Sequence, residues 1–333
     1  MFKKFPSIVQ FSNFVKHVRD NCKFHNKPLP TIQFSGSVKL HGTNSGLGFS
    51  KDKIWYQSRE RLISYESDNA GFAMWGMSNE NILKKIYTHI CEKENIEHDQ
   101  FYIFGEWCGS SIQKGVAVSQ LPDKKFAIFE MVFVKAEQEF KIDHVIYHKF
   151  INDLLNNVVV IDAIVKPLTL VIDFNDPSSV QNFLLGETLK VEEECPFGKY
   201  FGISGVGEGI VWSSCESDDL PKFKVKGEKH SSSKVKTLHE LTEAEISAKA
   251  SAKEFVEFAL SENRLKQGIS KLEEMGHEVS VKSMGHYLKW IGNDILEECK
   301  DTLIESGLER KVVMPAIADK AKLWYFNYLN QLG

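Results

Sequence analysis

A chain of 333 residues with 42% hydrophobic and 26% charged residues has the balance of a soluble globular protein of two domains, or one large domain with an appendage. That balance excludes fibrous and disordered classes. A formal net charge of -4 excludes coating of nucleic acid through bulk positive charge, although a local basic groove is still allowed. No run of about 18 apolar residues occurs, so no membrane span is expected. Asn13, Lys16, His17 and Arg19 interrupt what would be the apolar stretch of a secretory signal. The six cysteines include no C-x-x-C pair, which reads as reduced thiols in a cytoplasmic protein.

In chain order, Thr31 to Lys39 reads as a strand, followed by the turn-like His41-Gly42-Thr43-Asn44. Ser45 to Ser50 and Lys53 to Ser58 form a hairpin about Lys51-Asp52. Asn79 to Glu94 is helical, with Ile82, Ile86 and Ile90 four apart. Phe101 to Trp107 and Phe126 to Val134 are dense in aromatic and β-branched residues and read as buried strands. Asp176-Pro177 marks the cap and first turn of a helix through Leu185. Gly209 to Trp212 and Pro221 to Lys226 are further strands. The polar stretch from Gly227 to Lys234 is a linker, and a domain boundary is expected at about 230–240. Beyond it the pattern is helical. Thr242 and Glu245 form a capping box, Ala248, Ala252, Phe255 and Ala259 trace one face, and Ile295 to Ile304 and Ala316 to Leu329, just past Pro315, are helical runs.

The chemistry-bearing segments follow in order. Lys39-Leu40-His41-Gly42-Thr43-Asn44 ends a strand; Phe104-Gly105-Glu106, with Gly109 and Ile112-Gln113, comes next. Then come Phe126-Ala127-Ile128-Phe129-Glu130, Glu208-Gly209-Ile210-Val211 and Lys224-Val225-Lys226. This ordered set resembles the motifs of covalent nucleotidyltransferases, the superfamily of DNA ligases, RNA ligases and mRNA capping enzymes. In detail it resembles the RNA ligase 2 family. The Lys-x-His-Gly-Thr-Asn form of the first motif carries that likeness, and it leaves no room ahead of it for an accessory domain. So do the Phe-Gly-Glu-x-x-Gly-x-x-Ile-Gln form of the second, and the helical tail through Asn263-Arg264-Leu265, Ile269-Ser270-Lys271-Leu272 and Asp294-Ile295-Leu296-Glu297-Glu298.

The resemblance implies an α+β nucleotidyltransferase domain of antiparallel sheets with flanking helices over 1–235, and an all-helical RNA-binding domain over 240–333. It implies an ATP- and Mg²⁺-dependent (or Mn²⁺-dependent) RNA ligase that carries AMP on Lys39. The substrate expected is a nick in duplex RNA or an RNA–DNA hybrid, and the protein is expected to be a monomer. The helical domain is expected to serve the steps after enzyme adenylylation. A lysine nucleophile must be neutral although its free pKa is about 10.4. Lys224 and Lys226, two apart on a strand, share a face and are expected to crowd Lys39, lowering its pKa and stabilising phosphoryl transfer. Glu208 is expected to hold the metal, largely through water. By resemblance, Glu106 meets the ribose hydroxyls, Phe129 stacks on adenine with Val211 on its other face, and Arg59 acts at the nucleotide and RNA ends, with Arg61 as its rival. Val38, Leu40 and Asn44 complete the nucleotide set, Val38 through its backbone. His41 is read either as a packing residue or as a group behind the reacting ones.

Departures from the family pattern are Val38 for an acid, Glu130 for an aspartate, and Ser213 for a basic residue, whose part Lys222 could take. The stretch from Lys222 to Lys236 holds six lysines and one acid, and Lys222, Lys229, Lys234 and Lys236 are candidate phosphate contacts. His144 and His148 lie four apart but lack a third ligand. No P-loop sequence is present, and Gly205-Val206-Gly207-Glu208-Gly209 opens no helix, so neither a P-loop nor a dinucleotide site is expected. The rival readings are a DNA nick ligase, a capping guanylyltransferase and a catalytically inactive RNA-binding homologue. The first two normally carry a β-rich domain where this tail reads as helices.

Overall fold

The structure, a computed structural model, describes residues 2–227, 229, 252–305 and 308–332. Strands β1 (Val9–Gln10), β2 (Thr31–Lys39), β3 (Thr43–Phe49), β4 (Ile54–Ser58), β5 (Leu62–Ile63) and β6 (Gln100–Cys108) come first. They are followed by β7 (Lys125–Lys135), β8 (Gln138–Lys141), β9 (Val158–Val160), β10 (Leu168–Asp173), β11 (Gly209–Ser214) and β12 (Phe223–Lys226). They form two sheets. One has five strands in the order β1-β12-β11-β2-β10; the other has seven, in the order β5-β4-β3-β6-β7-β8 with β9 beside β7. Pairing is antiparallel except between β1 and β12 and between β7 and β9. This is the expected α+β architecture.

Period two explains which face each strand buries. In β2, Ile32, Phe34 and Val38 are buried while Ser35, Ser37 and Lys39 face the other way. The first sheet packs its buried face on α1 (Phe11–Phe24) through Phe14, Val15 and Val18. The second packs on α2 (Phe72–Ser78) and α3 (Glu80–Glu94) through Phe72, Ala73, Leu83, Ile86 and Ile90. The helices α4 (His148–Leu154), α5 (Ile161–Ile164), α6 (Gln181–Glu193) and α7 (Pro196–Tyr200) complete this part. A separate core joins the helices α8 (Ala252–Ala259), α9 (Glu262–Glu274), α10 (Met284–Glu298), α11 (Lys300–Glu305) and α12 (Arg310–Leu332).

Three local expectations need correction. The segment after Asp176 is a 3₁₀ turn over Pro177–Val180, and the α-helix proper runs on from Gln181 to Glu193. The run from Ile295 to Ile304 belongs to two helices: α10 ends at Glu298 with Cys299 as its cap, and α11 follows. Pro315 lies inside α12 instead of before it, in the second turn, where a missing N–H forfeits one main-chain bond near a helix start. The expected boundary at 230–240, the capping box at Thr242 and Glu245, and Ala248 lie outside the described residues. On either side, the described chain is strand-rich through Lys226 and helical from Ala252. All six cysteines are free, and among the described residues no helix is long and apolar enough to cross a membrane.

Candidate active site

Lys39 is the last residue of β2, and after the turn through Gly42 the chain enters the second sheet as β3. The lysine therefore stands where one sheet hands over to the other. Gly42 is required there: a Cβ would collide with the Trp107 carbonyl oxygen. Its N–H donates to Glu106 Oε1 at 2.8 Å, which aims that carboxylate at the turn.

Strand register supplies the rest. Gly209 of β11 lies opposite Lys39 on one side and Lys226 on the other; Val211 lies opposite Ser37 and Lys224. Residues two apart share a face, so Lys39, Lys226, Ser37, Val211 and Lys224 form two adjacent rows on the cleft side of the first sheet. Gly209 has φ +148°, and a Cβ would strike the Val225 carbonyl oxygen. With no side chain in the middle of the row, the two lysines converge on Glu208, one residue earlier.

Glu208 is 1% exposed. Its Oε2 lies 2.6 Å from Lys39 Nζ and 3.3 Å from His41 Nδ1, and its Oε1 lies 2.9 Å from Lys226 Nζ. Burial works to raise its pKa, but Lys226, Lys39 and His41 together hold it well below the usual carboxylate range. Burial likewise works against the Lys226 ammonium, yet Glu208 and Glu298 push its pKa up. The two lysines thus do not simply crowd Lys39, as the sequence suggested; an ionised carboxylate sits between Lys39 and Lys226. Lys224 turns to a different partner, Glu298 of α10, at 2.9 Å. Burial pushes the Lys224 pKa down, against the pull of Glu298.

The second sheet faces this row across the cleft. Asn44 of β3 is the cross-strand partner of Glu106 of β6. Burial pushes the Glu106 pKa up to about 6, against the opposing pull of Lys39 and the Gly42 N–H. A raised carboxyl in a cleft beside a lysine makes Glu106 a candidate functional group. Phe129 of β7 is half-buried, with its ring centroid 4.9 Å from that of Phe5. Asn44, Glu106, Phe129, Val211, Arg59 and the lysines all line one cleft of about 2120 Å³. Ligand pockets hold about 300–1,000 Å³, so this cleft has room for a nucleotide and for polymer beside it.

Several readings are sharpened. The Val38 and Leu40 side chains are core, 7% and 4% exposed, so any contact they make with a nucleotide is through the backbone. Arg59 lines the cleft and donates to Ser7 Oγ at 3.3 Å. Its rival Arg61 instead donates to the Ser67 carbonyl at 2.6 Å and braces the loop through Asp68. His41 contacts Glu208, which favours a role behind the reacting groups. Lys222 is held by Glu130 at 2.7 Å and lies over the Phe5 ring. Lys229 lines the cleft, and Lys234 and Lys236 lie outside the described residues. His148 Nδ1 accepts the Val160 N–H at 3.2 Å, and among the described residues no cluster of three or more metal-ligating side chains occurs.

Sequence reasoning missed the link to the helices. Arg264 of α9 is fully buried; its Nε lies 2.7 Å from Asp294, its Nη2 lies 3.0 Å from Glu298, and Nη1 donates to the Ala259 carbonyl. Glu298 is thereby shared with Lys224. Ser270 Oγ donates to Gln113 Oε1 at 3.1 Å, and Gln113 Nε2 donates to the Gly42 carbonyl at 3.3 Å. These residues were visible as parts of motifs, but pairing across that much chain leaves no local signal.

A family model described as RNA ligase matches residues 32–236. No curated protein matches the chain. Solved structures similar to it include Naegleria gruberi RNA ligase variants. One, with AMP and Mn, is 17% identical over 68% of this chain and 56% of that chain, with a TM-score of 0.43. Another, with ATP and Mn, is 16% identical over 68% of this chain and 57% of that chain, with a TM-score of 0.46. The Naegleria gruberi ligase with PPi is 17% identical over 68% and 56%, with a TM-score of 0.44. The chain thus spans little more than half the length of these proteins.

Proposed function

The chain belongs to the RNA ligase family, and from that premise we propose that it joins RNA 3′-hydroxyl and 5′-phosphate ends with ATP through a covalent AMP on Lys39. The substrate is a nick in duplex RNA or an RNA–DNA hybrid, gripped in part by the helical region. The observation that carries this reading is the row of Lys39, Gly209 and Lys226 closed by Glu208, facing Glu106, Asn44 and Phe129 in one cleft.

Lys39 Nζ forms a bond to the α-phosphorus of ATP while the bond from that phosphorus to the pyrophosphate oxygen breaks. Lys226 and Lys224 lie on the same face and would stabilise the charge that gathers on the phosphoryl oxygens. Glu208 lies 2.6 Å from Lys39 Nζ and is ionised, so it fixes the position of the lysine; held so far below the usual carboxylate range it cannot keep the lysine proton, which passes to water before the amine attacks. A single ionised carboxylate suits Mg²⁺, which keeps most of its water. Bound beside Glu208, the metal would neutralise phosphate charge. AMP then moves to the RNA 5′-phosphate, and the 3′-hydroxyl displaces it.

The test is incubation with α-labelled ATP or GTP and Mg²⁺, followed by sealing assays on nicked RNA, hybrid and DNA duplexes. Label is expected on the protein from ATP and not on Lys39→Ala. A covalent adduct on Lys39→Ala would overturn the assignment, and preferential sealing of DNA nicks would move the substrate.

A further inference from the structure

Gly42 lies between two peptide planes, and a side chain ties down each of them. Its N–H donates to Glu106 Oε1 at 2.8 Å, and its carbonyl accepts from Gln113 Nε2 at 3.3 Å. Glycine has the widest conformational freedom of any residue, so a turn built on it keeps one shape only if such bonds hold it. The same turn presents the Leu40 carbonyl, which accepts from Lys39 Nζ at 3.4 Å. Where the lysine amine sits therefore depends on how the turn is held.

Gln113 belongs to the cleft-lining segment 111–115 that follows β6. Ser111 and Gln113 both have left-handed backbone, with φ +68° and +56°. Residues other than glycine rarely adopt it, and such strain persists only where the surroundings fix it, most often at functional sites. Here Ile112, 4% exposed, anchors the segment in the core between them. The Gln113 amide is bonded at both ends, since its Oε1 accepts from Ser270 Oγ of α9 at 3.1 Å. Ser270 and Glu274 lie four apart on α9, on one face, and both line the cleft. Glu274 is close enough to help push the Glu106 pKa up. This face of α9 thus meets both groups that hold Gly42.

We infer that Gln113 is a positioning residue for Lys39, and that Ser270, by orienting the Gln113 amide, makes the helical region a participant in enzyme adenylylation and not only in the later steps. This rests on the proposed adenylylation of Lys39. Gln113 acts through the Gly42 carbonyl, and Ser270 acts through Gln113. An amide oxygen that accepts from Ser270 leaves the amide nitrogen to face the Gly42 carbonyl. Turned over, the amide would set acceptor against acceptor and free the turn. A nucleophile displaced by about 1 Å loses about a hundredfold in rate.

The test is single-turnover covalent labelling of the full chain by α-labelled ATP over a range of concentrations. Gln113→Ala is expected to lower the rate at saturating ATP by about ten- to a hundredfold, while the ATP concentration giving half that rate stays near the wild-type value. Ser270→Ala is expected to lower the saturated rate by about two- to tenfold, as loss of one neutral hydrogen bond implies, and Ser270→Thr, which keeps a hydroxyl, to restore it. Because Ser270 acts through Gln113, the double variant should be no slower than Gln113→Ala alone. Losses that multiply in the double variant overturn the inference, as do wild-type rates in both single variants. So does a rise in half-saturating ATP with the saturated rate unmoved, which marks direct contact with the nucleotide. If Gln113→Ala does not fold, the comparison of Ser270→Ala with Ser270→Thr decides. A wild type that takes no label overturns the adenylylation reading instead.

Discussion

Two buried ion clusters in this molecule are opposites. At the sheet junction, an anion, Glu208, is enclosed by Lys39, Lys226 and His41. In the helical region, a cation, Arg264, is enclosed by Asp294 and Glu298. Both central groups are almost wholly buried, yet their settings differ. Glu208 opens onto a cleft through lysines that are 21% and 9% exposed, and that cluster carries surplus positive charge. Arg264 is 0% exposed, and with Lys224, which Glu298 also holds, its two carboxylates are balanced by two cations. Burying charges costs about several kcal/mol per ion, and well-made pairs often only break even. The Arg264 cluster therefore serves mainly to specify how α9 and α10 meet. The Glu208 cluster holds its charges where a phosphate can reach them.

The largest effect that tests this contrast is on stability. Arg264→Ala leaves Asp294 without its Arg264 pairing and Glu298 without one of its two cations, and is expected to cost about 3–5 kcal/mol, measured by denaturant unfolding of the full chain. Glu208→Gln keeps the shape of its site, and its effect should fall on chemistry: covalent labelling from ATP is expected to drop by about 100-fold or more, with a smaller loss of stability than in Arg264→Ala. Equal stability losses in the two variants would break the contrast. Phe129→Ala is expected to raise the ATP concentration needed for half-maximal labelling by an amount equivalent to about 1–3 kcal/mol, with the fold retained by circular dichroism.

The smallest effect is a pH dependence. The Glu106 pKa is raised from the ordinary 4.5 to about 6 on folding. Its favourable contribution to stability is therefore full below about 4.5 and is lost as pH rises through about 6. Relative to the parent, Glu106→Gln should gain stability across that window and then hold the gain, as read from unfolding midpoints in a pH series. Glu208 has the opposite sign: its contribution is present above its unfolded-state pKa and is lost on acidification through a much lower folded value.

Much of this was legible locally. The alternation of Ile32, Phe34 and Val38 gave away β2 and its end at Lys39, and the turn glycine Gly42 marked the change of sheet. The residues named for nucleotide chemistry do line one cleft, because strands two residues in period carry them to a common face. Helix α1 escaped notice because only Phe14, Val15 and Val18 are buried in it, too narrow a stripe among polar residues. Pro315 misled because a proline in an early turn costs a helix little. The pairing of Lys224 with Glu298 and of Ser37 with Asp162 joins residues far apart in the chain. Periodicity reports faces, not partners, so neither pair could be read from it.

Glu298 answers to two cations, Lys224 at 2.9 Å and Arg264 at 3.0 Å, one in each region. Any phosphate drawn to Lys224 competes with that carboxylate. Such competition is thermodynamically reciprocal: the factor by which docked helices weaken the anion is the factor by which the anion weakens the docking. An RNA that drew the helices away would strengthen phosphate binding at Lys224 by the same factor. One carboxylate thus sets the coupling between the charge held in the cleft and the grip of the region beside it.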